Sequence, residues 1–255
     1  MRELVRLGPL SLRISAPLDL TIGAHLRPWQ AGSAGPPPEL VLELRRDPAP
    51  STWAPLSEGG GLGRFRWVPG SMCVEASIAD GPAAEWTALR TALNAAAWTA
   101  GGLMLHATGL LRGPGQCVAG LAVSGGGKST LTDLAEGWLS LSDETVLVTM
   151  RGEPTAHATP FRSSARKAPA PASCALSALL LLEKSPVPSL ERAPVESALA
   201  SVLSQLYRPP TPVASSAEIL RRAKLLAEAV PAYRFRFPKS PAAKDLLEKL
   251  FEDEL

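Results

Sequence analysis

Apolar residues fall on every second position through much of the first eighty residues. Leu10, Leu12 and Ile14 would share one face of an extended segment, and Leu40, Leu42 and Leu44 repeat the pattern. The spacing predicts a hairpin or pair of short strands over 5–14, extended by 19–23, and a half-buried strand over 39–45. A loop over 27–38 separates them. Glycines at 59–61 and 63 mark a turn before further strands over 65–68 and 71–78. Residues 1–82 are expected to form a small β-rich region built as a mixed or antiparallel sheet.

The period then changes. Trp86, Leu89, Ala92, Leu93, Ala96 and Ala97 recur at helical spacing, with Pro82 ahead of them and Gly101-Gly102 beyond. This predicts a helix over 83–98 that covers a sheet, with Trp86 and Trp98 as core residues. It opens a second region, 83–255. A strand over 103–111, L-M-L-H-A-T-G-L-L, meets the turn Gly113-Pro114-Gly115 and a second apolar run over 117–123. Two apolar runs joined by a Pro-Gly turn make an antiparallel pair. Doubly wound sheets are assembled from crossovers instead, so the hairpin points to a mixed sheet.

That second run enters 119–130, A-G-L-A-V-S-G-G-G-K-S-T, and a helical segment follows over 131–136. Strand, glycine loop and helix in this order are the parts of a phosphate cradle. Glycines let successive backbone N–H groups turn inward, and the following helix adds its N-terminal donors. Ser124, Gly125, Gly126, Gly127, Lys128, Ser129 and Thr130 are therefore the expected nucleotide-binding residues. Lys128 would reach the terminal phosphates and Ser129 would ligate Mg²⁺. Where the P-loop pattern opens with glycine, this chain has Ala122.

Beyond the helix, 138–142 and 145–150 read as two short strands with Asp143 and Glu144 between them. A crossover from the glycine-loop helix makes the first of these parallel to the loop's own strand, which brings both acids to the phosphates. One carboxylate would hold Mg²⁺ with Ser129, and the other would accept a proton from an incoming hydroxyl. Adjacent acids beside a cation titrate together, so the roles stay open between them. A loop is expected over 157–173, and 175–182 fits a strand or a helix. Helices are expected over 195–206, 217–230 and 241–251, with a strand over 233–237.

Composition narrows the chemistry. The 255 residues carry a formal charge of +2 with no long basic tract, which argues against a nucleic-acid partner. No apolar run reaches membrane-spanning length, and none near the start resembles a secretory leader. Three cysteines without a C-x-x-C pair suit a reducing compartment, so a cytoplasmic setting is expected. The three histidines lack ligand spacing for zinc. His106 reads equally as a core or a site residue. His157 would approach the phosphates or face solvent, and Arg162, Arg166 and Lys167 are candidate cations over a migrating phosphate.

The block L-H-A-T-G-L-L, V-A-G-L-A-V-S-G-G-G-K-S-T-L-T and G-W-L-S-L-S-D-E resembles the catalytic core of HPr kinase/phosphorylase. It is most similar to the short bacterial HPr-kinase-like proteins found beside peptide natural-product genes. The likeness spans about 82–250, with H-A-T-P-F, A-L-S-A-L-L-L-L-E and Y-R-F-R-F-P as weaker additions. It implies an α/β fold whose P-loop kinase core has a mixed sheet of the HPr kinase/phosphoenolpyruvate carboxykinase type. It also implies that His106 lies at the active site, that Lys128 and Ser129 bind phosphate and Mg²⁺, and that Asp143 takes part in proton transfer. The chain departs from the family at Ala122, at Glu144 where Asp is usual, and in lacking the Gly- and Arg-containing C-terminal segment used for HPr and phosphorolysis.

The expected activity is ATP- and Mg²⁺-dependent phosphoryl transfer to a serine or threonine of a protein or precursor peptide. Asp143, His106 and Lys128 would be catalytic, and Ser129, Glu144 and Asp143 would serve the metal. The alternatives are a catalytically degenerate nucleotide-binding regulator and a small-molecule kinase or nucleoside-triphosphatase. Family members often form rings, so a homo-oligomer is a further expectation.

Overall fold

The computed structural model describes residues 2–16, 21, 23–30, 40–56, 61–68, 71–210 and 213–253. It is a mixed α/β fold in two compact units. One comprises Met1–Ala100 with Arg208–Ser215, and the other Gly101–Tyr207 with Ser216–Leu255. The expected division at 82/83 thus differs from the observed one by the length of a helix. Most of 19–23 and of the 27–38 loop lie outside the described residues.

The first unit contains β1 (Arg2–Leu7), β2 (Leu10–Ser15), the short α1 (Gly23–Leu26), β3 (Leu40–Arg45), β4 (Ala54–Pro55), β5 (Gly63–Val68), β6 (Cys73–Ile78) and α2 (Pro82–Thr99). Its sheet runs β1-β2-β3-β6-β5-β4, with β2, β3 and β6 parallel and the remaining pairs antiparallel. α2 packs on β2, β3 and β6, which is why it belongs to this unit. Its Glu85 is fully buried in the first turn and accepts hydrogen bonds from Thr21 Oγ1 at 2.8 Å and Arg46 at 3.2 Å. A buried carboxylate needs such partners. The helical period was legible in the sequence, but not the sheet it would cover.

The second unit contains β7 (Gly102–Leu105), β8 (Ala107–Gly113), β9 (Gln116–Leu121), α3 (Lys128–Leu134), β10 (Leu139–Ser142), β11 (Val146–Thr149), β12 (Thr155–His157), β13 (Ser173–Lys184), β14 (Ser189–Arg192), α4 (Val195–Gln205), α5 (Ser216–Ala229), β15 (Ala232–Phe237) and α6 (Ala242–Asp253). The ambiguous stretch over 175–182 belongs to the central strand, β13. Its start pairs antiparallel with β12, and its later part lies parallel between β9 and β15. Covered on both faces, such a strand carries an unbroken apolar run and loses the alternation that distinguishes strand from helix.

Two expectations change here. The single strand over 103–111 is broken at His106: β7 pairs with β11, whereas β8 pairs with β9 and β10. Residues 139–142 run in the same direction as β9 but not beside it, because β8 lies between and is antiparallel to both. The parallel neighbour of β9 is β13. The end of β10 still lies on the side of the sheet where β9 enters the glycine loop. Leu131, Trp138, Leu180, Phe235 and Leu247 share the core between this sheet, α3 and α6. Among the described residues, no helix is long and apolar enough to cross a membrane.

Candidate functional site

Gly125 and Gly127 have φ values of 76° and 106°, a region that side chains with a Cβ rarely adopt. Gly126 is required for a different reason. A Cβ there would lie 2.6 Å from the Ala122 Cβ and 3.0 Å from the Val123 carbonyl oxygen. Ala122 is therefore accommodated because a glycine faces it. The turn is closed by Gly126 N–H donating to Val123 O at 3.0 Å. Since α3 has only seven residues, the charge at this site rests on Lys128 and the loop amides more than on a helix dipole.

Lys128 is buried and donates to Ala122 O at 2.6 Å and Val123 O at 3.3 Å. Burial pulls its pKa below the usual lysine value, while the fields of Asp143 and Glu144 pull the other way. Asp143 is almost wholly buried and accepts three hydrogen bonds. Ser129 Oγ reaches Oδ2 at 2.9 Å, Ala165 N reaches Oδ2 at 2.8 Å, and Ser163 N reaches Oδ1 at 2.8 Å. Ser142 fixes the bend that delivers it: its hydroxyl donates to Phe161 O and accepts from the amides of Glu144 and Thr145.

His106 sits where the chain passes from β7 to β8. Its backbone N–H donates to Gln205 O at 2.7 Å, and its Nδ1 is 3.1 Å from the Tyr207 hydroxyl. That hydroxyl also accepts from Thr145 Oγ1 at 3.3 Å, so the segment after α4 orients the imidazole.

A cavity of about 320 Å³ joins these groups. His106, Ser124, Gly125, Gly127, Lys128, Ser129, Thr130 and Asp143 line it, together with Ser163, Ser164 and Lys184. Gly126 backs onto Ala122 instead. Glu144 is not among the lining residues, although its field reaches Lys128. Lys184, Ser163, Ser164 and Tyr207 had no signal in the sequence. Strand order brings Lys184 to the loop, the segment bonded to Asp143 brings Ser163 and Ser164, and the chain after α4 brings Tyr207 to His106.

Arg166 faces Asp133, Lys167 donates to Ala135 O, and Arg162 reaches the loop's own Ala165 O. None of the three lines the cavity. Among the described residues, no three His, Cys, Asp or Glu side chains gather as a metal cluster. Ser129 Oγ and Asp143 Oδ2 nevertheless form an adjacent pair of hard oxygen donors. Such a pair fits Mg²⁺, which usually takes one or two protein ligands and completes its shell with phosphate and water.

His157 lies elsewhere, neither on the wall of the glycine-loop cavity nor in solvent. It is buried on β12, with Nε2 2.8 Å from Thr149 Oγ1 and Nδ1 2.7 Å from Ser173 Oγ. Burial lowers its pKa to about 4. The unfolded chain binds this proton near pH 6.5, so the unfolded state holds more protons between the two values. The resulting stability is complete above pH 6.5 and is lost as pH falls toward 4, by at most about 3 kcal/mol. Urea midpoints at pH 7 and pH 4.5 are expected to differ less in His157→Gln than in the wild type.

Comparison with protein-family models and with curated proteins finds no match to this chain.

Proposed function

We propose that this chain is an ATP- and Mg²⁺-dependent kinase with a P-loop core of the HPr kinase/phosphoenolpyruvate carboxykinase type. It moves the γ-phosphoryl group to a serine or threonine hydroxyl of a protein or precursor peptide. The observation that carries this reading is the 2.9 Å contact between Ser129 Oγ and Asp143 Oδ2 at the mouth of a glycine loop holding Lys128. A buried carboxylate, a hydroxyl and a cation beside a glycine turn that leads into a helix suit a metal-bound polyphosphate.

In this mechanism the loop amides and Lys128 hold the β- and γ-phosphates. Lys128 leaves the carbonyls of residues 122 and 123 to do so. Ser129 and Asp143 are the ligands offered to Mg²⁺, which would neutralise phosphate charge when bound. The acceptor oxygen forms a bond to Pγ as the bond from Pγ to the β,γ-bridging oxygen breaks, and ADP leaves. Asp143, or His106 on the same cavity wall, takes the acceptor's proton. Tyr207 is a positioning residue for His106. ATP chemistry of this kind and three free thiols suit the cytoplasm.

The placement of Glu144 off the cavity wall favours a second reading, a regulator that binds nucleotide without transferring phosphate. Incubation with γ-labelled ATP, Mg²⁺ and serine- or threonine-containing peptides, including those encoded nearby, separates the two. Label on a peptide hydroxyl is the expected result. Bound nucleotide with no labelled product would favour the regulator, and acceptor-independent release of phosphate would mark a hydrolase. Absence of nucleotide binding would overturn all three.

A further inference from the structure

A second cavity, of about 390 Å³, opens beside the first and shares Thr130 and Lys184 with it. Its size lies within the range of small-molecule pockets, roughly 300–1,000 Å³. The walls differ in chemistry from the phosphate loop. Pro186, Phe237 and Pro238 supply apolar surface, and Ser185 and Lys239 complete the lining.

Topology explains the adjacency. β9, β13 and β15 are parallel, so Lys184 and Phe237 end at the edge from which the glycine loop springs. The Phe237 ring stands directly behind the loop, since a Cβ on Gly127 would lie 2.7 Å from its Cζ. One aromatic side chain thus backs the phosphate loop and forms a wall of the second cavity.

We propose that this second cavity is the nucleobase subsite of the triphosphate site, and that it admits adenine and guanine with little discrimination. The proposal rests on the nucleotide-binding reading above. A triphosphate whose terminal end lies at Lys128 would pass Thr130 and Lys184 toward the cavity they share. A purine there meets the surface of Pro186 and Pro238, with the buried Phe237 as backing, which suits the face of a flat heterocycle.

The lack of discrimination follows from the engaged polar groups of the wall. Ser185 N–H donates to Phe237 O at 3.0 Å. The Ser185 hydroxyl donates to Val187 O at 2.7 Å and accepts from Val187 N–H at 3.1 Å. Strong selection between bases needs buried donors and acceptors aimed at their edges, because the wrong base then leaves them unpaired. The remaining polar side chains are the half-buried Thr130, which the first cavity shares, and Lys184 and Lys239, exposed cations on flexible stems. These cations suit phosphate or ribose better than a base edge.

Titration calorimetry of the full chain with ATP, GTP and inorganic tripolyphosphate, each with Mg²⁺, tests this. ATP and GTP are expected to bind within about fivefold of one another, and tripolyphosphate at least about twentyfold more weakly. Pro186→Trp, at an exposed position, would fill the cavity and weaken both nucleotides about tenfold without changing tripolyphosphate affinity. Tripolyphosphate binding as tightly as ATP would overturn the subsite, and a gap above thirtyfold between ATP and GTP would overturn its indifference. Both results leave the triphosphate reading intact. If none of the three ligands binds, that reading falls as well.

Discussion

Asp143→Asn is expected to slow phosphoryl transfer by about 10³-fold while ATP affinity stays within about tenfold of the wild type. The substitution keeps the shape of the side chain and removes its charge and its capacity to accept a proton. It also disturbs the surroundings, for a reason visible in the hydrogen bonds. Ser129 and Ala165 both donate to Oδ2, and Ser163 donates to Oδ1. An asparagine that turns its oxygen toward the first pair sets its amide against the Ser163 N–H. One part-buried donor then loses its acceptor, at a cost of about 1 kcal/mol, the low end of the range for a buried group. The loop over 161–165 should loosen, and thermal unfolding should begin at a lower temperature. Transfer, nucleotide affinity and melting temperature must therefore be read together on the same preparation. A variant that melts lower but transfers at the wild-type rate would remove Asp143 from the chemistry and leave it a structural anchor for that loop.

The parts of this molecule legible in the sequence are those whose cause is local. The glycine loop is one, because three glycines, a lysine and two hydroxyls follow a strand within a dozen residues. Helices with a polar face, such as α5 and α6, are others, since their period survives intact. What escaped the sequence depends on residues distant in the chain. His106 looks like one more position in a run from Leu103 to Leu111. It marks a break only because Gln205, at the end of α4, and Tyr207, just beyond it, arrive to occupy its backbone and ring. Lys184 comes from the parallel neighbour of the loop strand, and Ser163 and Ser164 from the segment that caps Asp143. The basic residues of that same segment carry a charge signal that pointed the wrong way. Asp133 and the carbonyl of Ala135 hold Arg166 and Lys167, a competition invisible without the positions of α3 and its end. His157 shows the same limit in reverse. Its neighbours in sequence suggest a polar loop, while Thr149 and Ser173 enclose it between paired strands.

Lys128→Met is expected to separate binding from folding more sharply than any other single change. ATP affinity should fall about 100-fold, or about 2.7 kcal/mol, because a charge-assisted contact to phosphate in a buried setting is lost. Stability without ligand should stay within about 1 kcal/mol of the wild type. Methionine has similar length and replaces a buried cation whose desolvation opposes folding. The carbonyls that Lys128 contacts are not both abandoned, since Val123 O still accepts from Gly126 N–H. Thermal unfolding with and without saturating ATP measures the difference directly. A ligand at a hundred times its Kd stabilises the wild type by about 2.7 kcal/mol, whereas the same concentration gives the variant only about 0.4 kcal/mol. Equal ATP-induced shifts in the two proteins would mean that the ammonium does not meet the phosphates, and the cradle formed by residues 124–130 would have to be assigned another anion. A variant unfolded without ligand would instead show that the contacts of Lys128 to Ala122 and Val123 hold the turn itself. In that case Lys128→Arg, which keeps the charge but not the slender stem, distinguishes a need for cationic bonding to those carbonyls from a need for the lysine shape.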